Sequence, residues 1–226
     1  MSKSFVLVFA AGTAESNRQI ALKFAPHHRI GFICSPQHDL GPAISAAYET
    51  GSEAILLETD MSSVDSLKSS IGLAVAEYGK QCAAAIFQVT TETPDVKVPF
   101  LEQTAAQFRA ETSSQIESAY AFSQAAIPLL THGVGSTEFP ATLVFVGPAK
   151  ASTSSKVMDN ALVALSRSLG REYGKRYIHV AHLRFNSVHS RENVAHDDEA
   201  QGERIAETLL HLHMQPLSCF ANEVSI

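Results

Sequence analysis

Short, nearly continuous apolar runs alternate along this chain with longer stretches in which apolar residues return every three or four positions. The runs at 5–10, 29–34, 54–58, 83–89, 141–146 and 179–185 have the pattern of strands buried on both faces. Between them the helical period is legible. Ile20, Ala21 and Phe24 mark a helix over 16–25, and further helices are predicted over 42–50, 64–78 and 103–130, with Pro128 near the end of the last. Gly79 is placed to stop the third of these. Val157, Ala161, Leu165, Leu169 and Tyr173 step by four along one apolar stripe, and a last helix is predicted over 205–213. Residues 219–226 predict a closing edge strand.

Strands separated by helices pair in parallel through right-handed crossovers. The fold expected is therefore α/β: one Rossmann-like, doubly wound parallel sheet in three α/β/α layers, a single domain over 1–226. Ligands of such sheets lie beyond the carboxyl ends of the strands. That directs attention to 11–17, 34–37, 59–61, 88–92, 147–159 and 184–189.

Composition narrows the partners. With 45% hydrophobic and 18% charged residues, the 226-residue chain has ample material for a core. Its net charge of −6 argues against nucleic acid or an anionic membrane as the main partner. The apolar run Phe5–Ala11 is too short to cross a bilayer and leads straight into Gly12 and Thr13, so it reads as a first strand rather than a signal peptide. Cys34, Cys82 and Cys219 are scattered, with neither a disulfide framework nor zinc spacing, and a reducing cytoplasm is the expected compartment. No internal repeat or linker divides the chain.

Several segments resemble the short-chain dehydrogenase/reductase family. LETDMSSVDSLKSSIGLAVAEYG is similar to its third strand, adenine-contacting Asp (here Asp60) and following helix. AYAFSQAAIPLL resembles its long dimer-forming helix, NALVALSRSLGREYG the helix that starts with the catalytic Tyr-x-x-x-Lys, and YIHVAHLRF its sixth strand. The resemblance extends to AETLLHLHMQPLSCFANEVSI at the end of the chain. It implies a nicotinamide cofactor, NAD(H) or NADP(H), and alcohol–ketone redox.

The positions that carry that chemistry read differently here. Anchored on Arg18, Ile20 and Ala21, the three glycines of the family's phosphate loop fall on Ala11, Glu15 and Asn17, with Gly12 one place out of register. Glycines let the backbone turn sharply against the pyrophosphate, and the following helix offers it free N–H groups. Glu15 is therefore expected to cap that helix and to fill the anion site with its own carboxylate. At the end of the second strand Cys34, Ser35 and Pro36 supply neither an acid for ribose nor an Arg for a 2′-phosphate, and Asp39 reads as a solvated loop residue. Phe87, Gln88, Val89 and Thr90 stand where the family has Asn-Asn-Ala-Gly, so Gln88 and Val89 are expected to crowd the cofactor. The relay Asn falls on Gln115, the catalytic Ser near Pro148, the Tyr on Ser155 and the Lys on Asp159, with Lys156 one place displaced. The family's proton donor is a phenol made more acidic by a neighbouring ammonium; a serine and an aspartate do not reproduce it.

The cofactor-contacting candidates are thus Gly12, Glu15, Asn17, Ser35, Asp60 and Gln88, and the catalytic candidates Ser155, Lys156, Asp159 and Arg184. Glu92, Asn186 and His189 are further polar groups expected at the cleft mouth. The Ser/Thr cluster 152–155 reads as a helix cap and loop, the Gly133–Ser136 segment as a loop, and the acidic stretch 196–204 as a solvated flap in the place of a substrate lid. No metal site is expected: His179 and His182 fall on opposite faces of a strand, and neither they nor His211 and His213 have a third ligand at zinc spacing.

Three functions follow as expectations. The first is a repurposed non-redox enzyme of isomerase or cyclase type, or a small-molecule binder, with dinucleotide binding weak or absent. The second is an NAD(P)-dependent oxidoreductase with displaced catalytic residues, Lys156 or Ser154 substituting. The third is a pseudoenzyme acting by association. A homodimer or homotetramer is expected from the two long helices, whose alanines Ala119, Ala121, Ala125 and Ala126 would allow close approach.

Overall fold

The computed structural model describes residues 3–60, 63–89, 99–148, 153–186 and 194–226. The expectations for Met61, Thr90, Glu92, Ser152 and His189, and for the side chain of Pro148, lie outside the described residues. Seven strands, β1 (Phe5–Phe9), β2 (Arg29–Cys34), β3 (Ala54–Glu58), β4 (Cys82–Gln88), β5 (Ala141–Pro148), β6 (Ile178–Phe185) and β7 (Glu223–Ser225), alternate with α1 (Ala14–Phe24), α2 (Gly41–Glu49), α3 (Val64–Tyr78), α4 (Ala105–Gly133), α5 (Thr153–Tyr173) and α6 (Val194–His213), the last two helices flanking β6. The strands form one sheet in the order β3-β2-β1-β4-β5-β6-β7, and every pair is parallel. The chain runs outward from β1 to β3 and then returns to begin β4 on the other side of β1, so the carboxyl ends of β1 and β4 flank the crevice.

Side-chain alternation decides what each face holds. Phe5, Leu7 and Phe9 of β1 pack with Leu67 and Ile71 of α3, Phe122 of α4 and Leu162 of α5. Val6 and Val8 point the other way, to Ile20 and Phe24 of α1, Ala43 of α2, and Ile205 and Leu209 of α6. Both faces are apolar because both are covered. Gly133 ends α4 where a methyl group would overlap the Cys82 carbonyl, which fixes how closely that helix meets β4.

The structure corrects four expectations about the elements. Residues 196–204 are not a flap: α6 begins at Val194. Burial of Ile205, Ala206, Leu209 and Leu212 anchors the helix, and at Gly202 it packs so near α1 that a methyl group there would lie 3.3 Å from the backbone of Glu15 and Ser16. Residues 153–155 of the Ser/Thr cluster are not a loop either, because α5 starts at Thr153 and Ser154 is buried within it. Finally, Ala119, Ala121 and Ala126 pack into this chain's own core, with Ala125 against it, and offer no open face to a second copy. The edge strand is also shorter than 219–226, with only Glu223–Ser225 on the sheet.

Candidate functional site

The first turn of α1 lies at the carboxyl end of β1. Thr13 is its N-cap, accepting from the Ser16 N–H at 3.1 Å. Glu15 does not cap the helix or occupy its mouth as expected. Its carboxylate turns along the helix flank, where Arg18 and the Gln19 amide both donate to Oε1 at 2.8 Å. A cation three residues onward and an amide donor four onward suit an acid in a first turn, and a cap is already supplied. Asn17 is fully buried; its amide donates to the Thr13 carbonyl at 3.1 Å, while Oδ1 has no partner among the described residues.

Gln88 fills the space above this loop. The Gly12 N–H donates to Gln88 Oε1 at 2.6 Å. A methyl group at Gly12 would overlap Oε1 and come within 2.7 Å of Ser16 Oγ. Gln88 is 3% exposed, and its Nε2 has no partner among the described residues. The family's cofactor would set its pyrophosphate against residues 11–17; in this arrangement Gly12 already has an acceptor and the room above it is taken. The residues present do not fit a dinucleotide there.

The neighbouring strand ends do not compensate. Ser35 Oγ and His38 Nδ1 lie 2.8 Å apart. Cys34 is buried, its thiol pushed up to about 11 by burial and by Glu58. Asp39 accepts from the Gly41 N–H at 2.9 Å at the start of α2, and so has a local structural partner. Asp60 is exposed, and its carbonyl receives the Ser63 N–H. Val89 is buried and faces the α3, α4 and α5 side.

On that other side a second group forms. Arg184 Nη2 is 2.6 Å from Asp159 Oδ2, and His182 Nε2 is 3.3 Å from Asp159 Oδ1. Glu223 of β7 stands 3.7 Å from Arg184 Nη1 and binds Arg167 at 2.6 Å. His182 and Arg184 are two residues apart on β6 and so share a face, the one that carries Val180 toward α5. His182 is fully buried, with no hydrogen bond at either ring nitrogen among the described residues. Burial holds it below the usual imidazole range; Arg184 acts in the same direction, and Asp159 and Glu223 oppose it. His179 points to the opposite face as expected, with carbonyls of Leu212 and Ala221 each 2.9 Å from a ring nitrogen.

Of the predicted catalytic residues, the structure joins Asp159 to Arg184. Ser155 lies one helical turn before Asp159 and is partly exposed, whereas Lys156 is exposed. Gln115 on α4 is partly buried, and its Oε1 has no partner among the described residues. Asn186 is engaged through its backbone with Ile226 and Gln201. Glu15 and Gln88 belong to the α1 face and Asp159 and Arg184 to the α5 face, so the expected polar groups fall into two sets. Sequence reasoning missed His182 as a neighbour of Asp159; the period of two that links 182 to 184 was the available signal. Among the described residues no group of three or more His, Cys, Asp or Glu is arranged to hold a metal ion, and no helix is long and apolar enough to cross a membrane.

The comparisons with known proteins bear on this geometry. A family model described as enoyl-(acyl carrier protein) reductase, of the short-chain alcohol dehydrogenase type, matches residues 18–212. The chain belongs to the short-chain dehydrogenase/reductase family. Among solved structures, a short-chain dehydrogenase from Rhodopseudomonas palustris is 22% identical with a TM-score of 0.75, covering 99% of this chain and 98% of its own. A hydroxysteroid dehydrogenase from Escherichia coli is 15% identical with a TM-score of 0.78, covering 100% of this chain and 95% of its own. An NADH-dependent reductase solved with NAD is 10% identical with a TM-score of 0.80, covering 100% of this chain and 95% of its own. No curated protein matches the sequence. This short-chain dehydrogenase/reductase thus shares the family's whole sheet, and at such identities the structural likeness speaks for the fold.

Proposed function

We propose that this family member has been turned from hydride transfer to a non-redox role: binding a small polar metabolite or moving a proton within it, as an isomerase or cyclase does. One observation carries the reading. The position that supplies the family's lysine holds Asp159, tied at 2.6 Å to Arg184. A carboxylate there raises, rather than lowers, the cost of ionising a neighbouring hydroxyl, and Ser155 in the tyrosine's place is a far weaker acid than a phenol. Asp159 Oδ1 is buried beside His182 Nε2 at 3.3 Å, so in this reading the carboxylate takes a proton from a substrate atom, and returns it to another, at the part of its side chain that is still exposed. Such a step balances without oxidant or reductant.

Calorimetric titration with NADH and NADPH, and an assay of ketone reduction, test this. The expected result is no binding below about millimolar concentration and no turnover, with a rise in melting temperature for one class of polar metabolite. Micromolar dinucleotide binding together with ketone turnover would overturn the proposal and return the chain to the oxidoreductases with displaced catalytic groups. A second reading, action by association alone, draws on the way Gln88 and Arg184 are tied to groups of this chain; it predicts that no metabolite raises the melting temperature.

We also propose a homodimer or homotetramer assembled through α4 and α5, where Tyr120 and Val157 are exposed. Free thiols at Cys34, Cys82 and Cys219 suit a reducing, cytoplasmic setting.

A further inference from the structure

We infer that Gln88 is an internal plug, the residue that keeps a dinucleotide out of this cleft, and that the Gly12 N–H and the mouth of α1 beneath it are still able to receive an anion. The inference deepens the proposed function and rests on its premise that the wild-type protein binds dinucleotides weakly.

A pyrophosphate held at a helix mouth is bound by backbone N–H groups that face it without Cβ atoms in the way. Gly12 provides such an N–H, and its lack of a side chain leaves a hollow lined by Ser16 Oγ. In this chain the hollow holds the Gln88 amide, whose Oε1 accepts from the Gly12 N–H at 2.6 Å, the kind of contact a phosphate oxygen would make. Gln88 reaches the loop because β4 lies beside β1 and the side chain leaves the carboxyl end of its strand toward the α1 face.

Two features of the helix mouth remain although Ala11, Glu15 and Asn17 replace the loop's glycines. Thr13 caps α1 and leaves its mouth facing the crevice. The carboxylate of Glu15, the sequence's more obvious obstacle, is drawn aside by Arg18 and Gln19. What holds Gln88 in place is narrow. Its Oε1 bond to Gly12 is matched by an Nε2 with no partner among the described residues, although the side chain is 3% exposed. A buried amide ordinarily has both ends paired. Here one end is bound where a ligand oxygen would sit, and the other has no partner among the described residues.

The test measures NADH affinity by calorimetry for the full-length wild type and for Gln88→Ala, Gln88→Asn and Glu15→Gly. Gln88→Ala opens the hollow and frees the Gly12 N–H, and is expected to tighten NADH binding about tenfold or more. Gln88→Asn is one methylene shorter, cannot hold the same contact, and is expected to give a smaller gain. Glu15→Gly is expected to change affinity by no more than about threefold. The Gly12 amide signal provides a readout apart from binding: in nitrogen–proton spectra of the free protein it should move and exchange faster in both Gln88 variants. If wild type is weak and folded Gln88 variants gain nothing, the plug is disproved while the proposed function stands. If Glu15→Gly gains as much as Gln88→Ala, Glu15 is the obstacle and the inference fails. Wild type binding at micromolar concentration sinks the plug and the proposed function together. Should Gln88→Ala not fold, Gln88→Asn decides alone.

Discussion

At the scale of single residues, the ion pair between Asp159 and Arg184 has the clearest consequences. Both side chains are largely shielded, at 13% and 27% exposed, with His182 buried alongside. Removing one partner strands the other charge, whereas removing both removes the problem. Asp159→Asn and Arg184→Met are each expected to lower unfolding stability by about 1–3 kcal/mol in urea titrations. The double variant should cost less than the sum by at least about 1 kcal/mol. Additive losses would show that the pair contributes no coupling. The sequence offered both residues as candidates from their places at strand and helix ends. It did not offer their union, because they are 25 residues apart, and only the packing of α5 on β6 sets the 2.6 Å contact. Gln88 shows the same limit differently. Its bulk was legible as crowding, but its bond to Gly12 depends on β4 lying beside β1.

At the scale of elements, periodicity found the six α-helices among the described residues and the first six strands, because each buries a face whose spacing is written in apolar residues. Errors came where local chemistry and tertiary packing disagree. The acidic run His196, Asp197, Asp198 and Glu199 looks like loop, yet these residues sit in α6, drawn into helix by the apolar residues that follow and by close approach to α1 at Gly202. The alanines of α4 looked like a meeting face for a second copy, yet the sheet takes them. What remains outside on the two long helices is Tyr120 and Val157, 54% and 44% exposed. If α4 and α5 form the self-association face, sedimentation should report a dimer or tetramer at micromolar concentration. Tyr120→Asp with Val157→Asp should then give a monomer with little change in melting temperature. A wild-type monomer would end that proposal.

For the whole molecule, the notable chemistry is a set of neutral histidines buried where the amino ends of strands meet the end of α6. Burial, with help from His27 and Lys3, lowers His28 to about 4; burial, with help from His28, His179 and His27, lowers His213 to about 3. Their Nδ1 atoms meet Ser4 at 2.9 Å and Thr142 at 3.1 Å. Unfolded histidine takes its proton near pH 6.5, above either folded value, so the unfolded chain binds protons first as pH falls. Stability from these groups is complete above about pH 6.5 and is lost on descending toward 4 and 3. Each contributes up to about 1.4 kcal/mol per pH unit within that window. Urea titrations at pH 7.5, 5.5 and 4.5 should show this decline, and His28→Gln with His213→Gln should flatten it. A wild type equally stable at all three would contradict the burial of neutral rings.

By itself the sequence determined the alternation of strand and helix, the parallel sheet and the family. These are properties of spacing, and spacing is local. Tertiary structure alone decided that Glu15 turns aside while Gln88 takes the Gly12 N–H, and that Asp159 meets Arg184 and His182. Those contacts join residues from different strands and helices. Hydrogen bonds and ion pairs act only over a few ångströms, so which side chains come into reach is set by how the sheet is ordered and its helices pack.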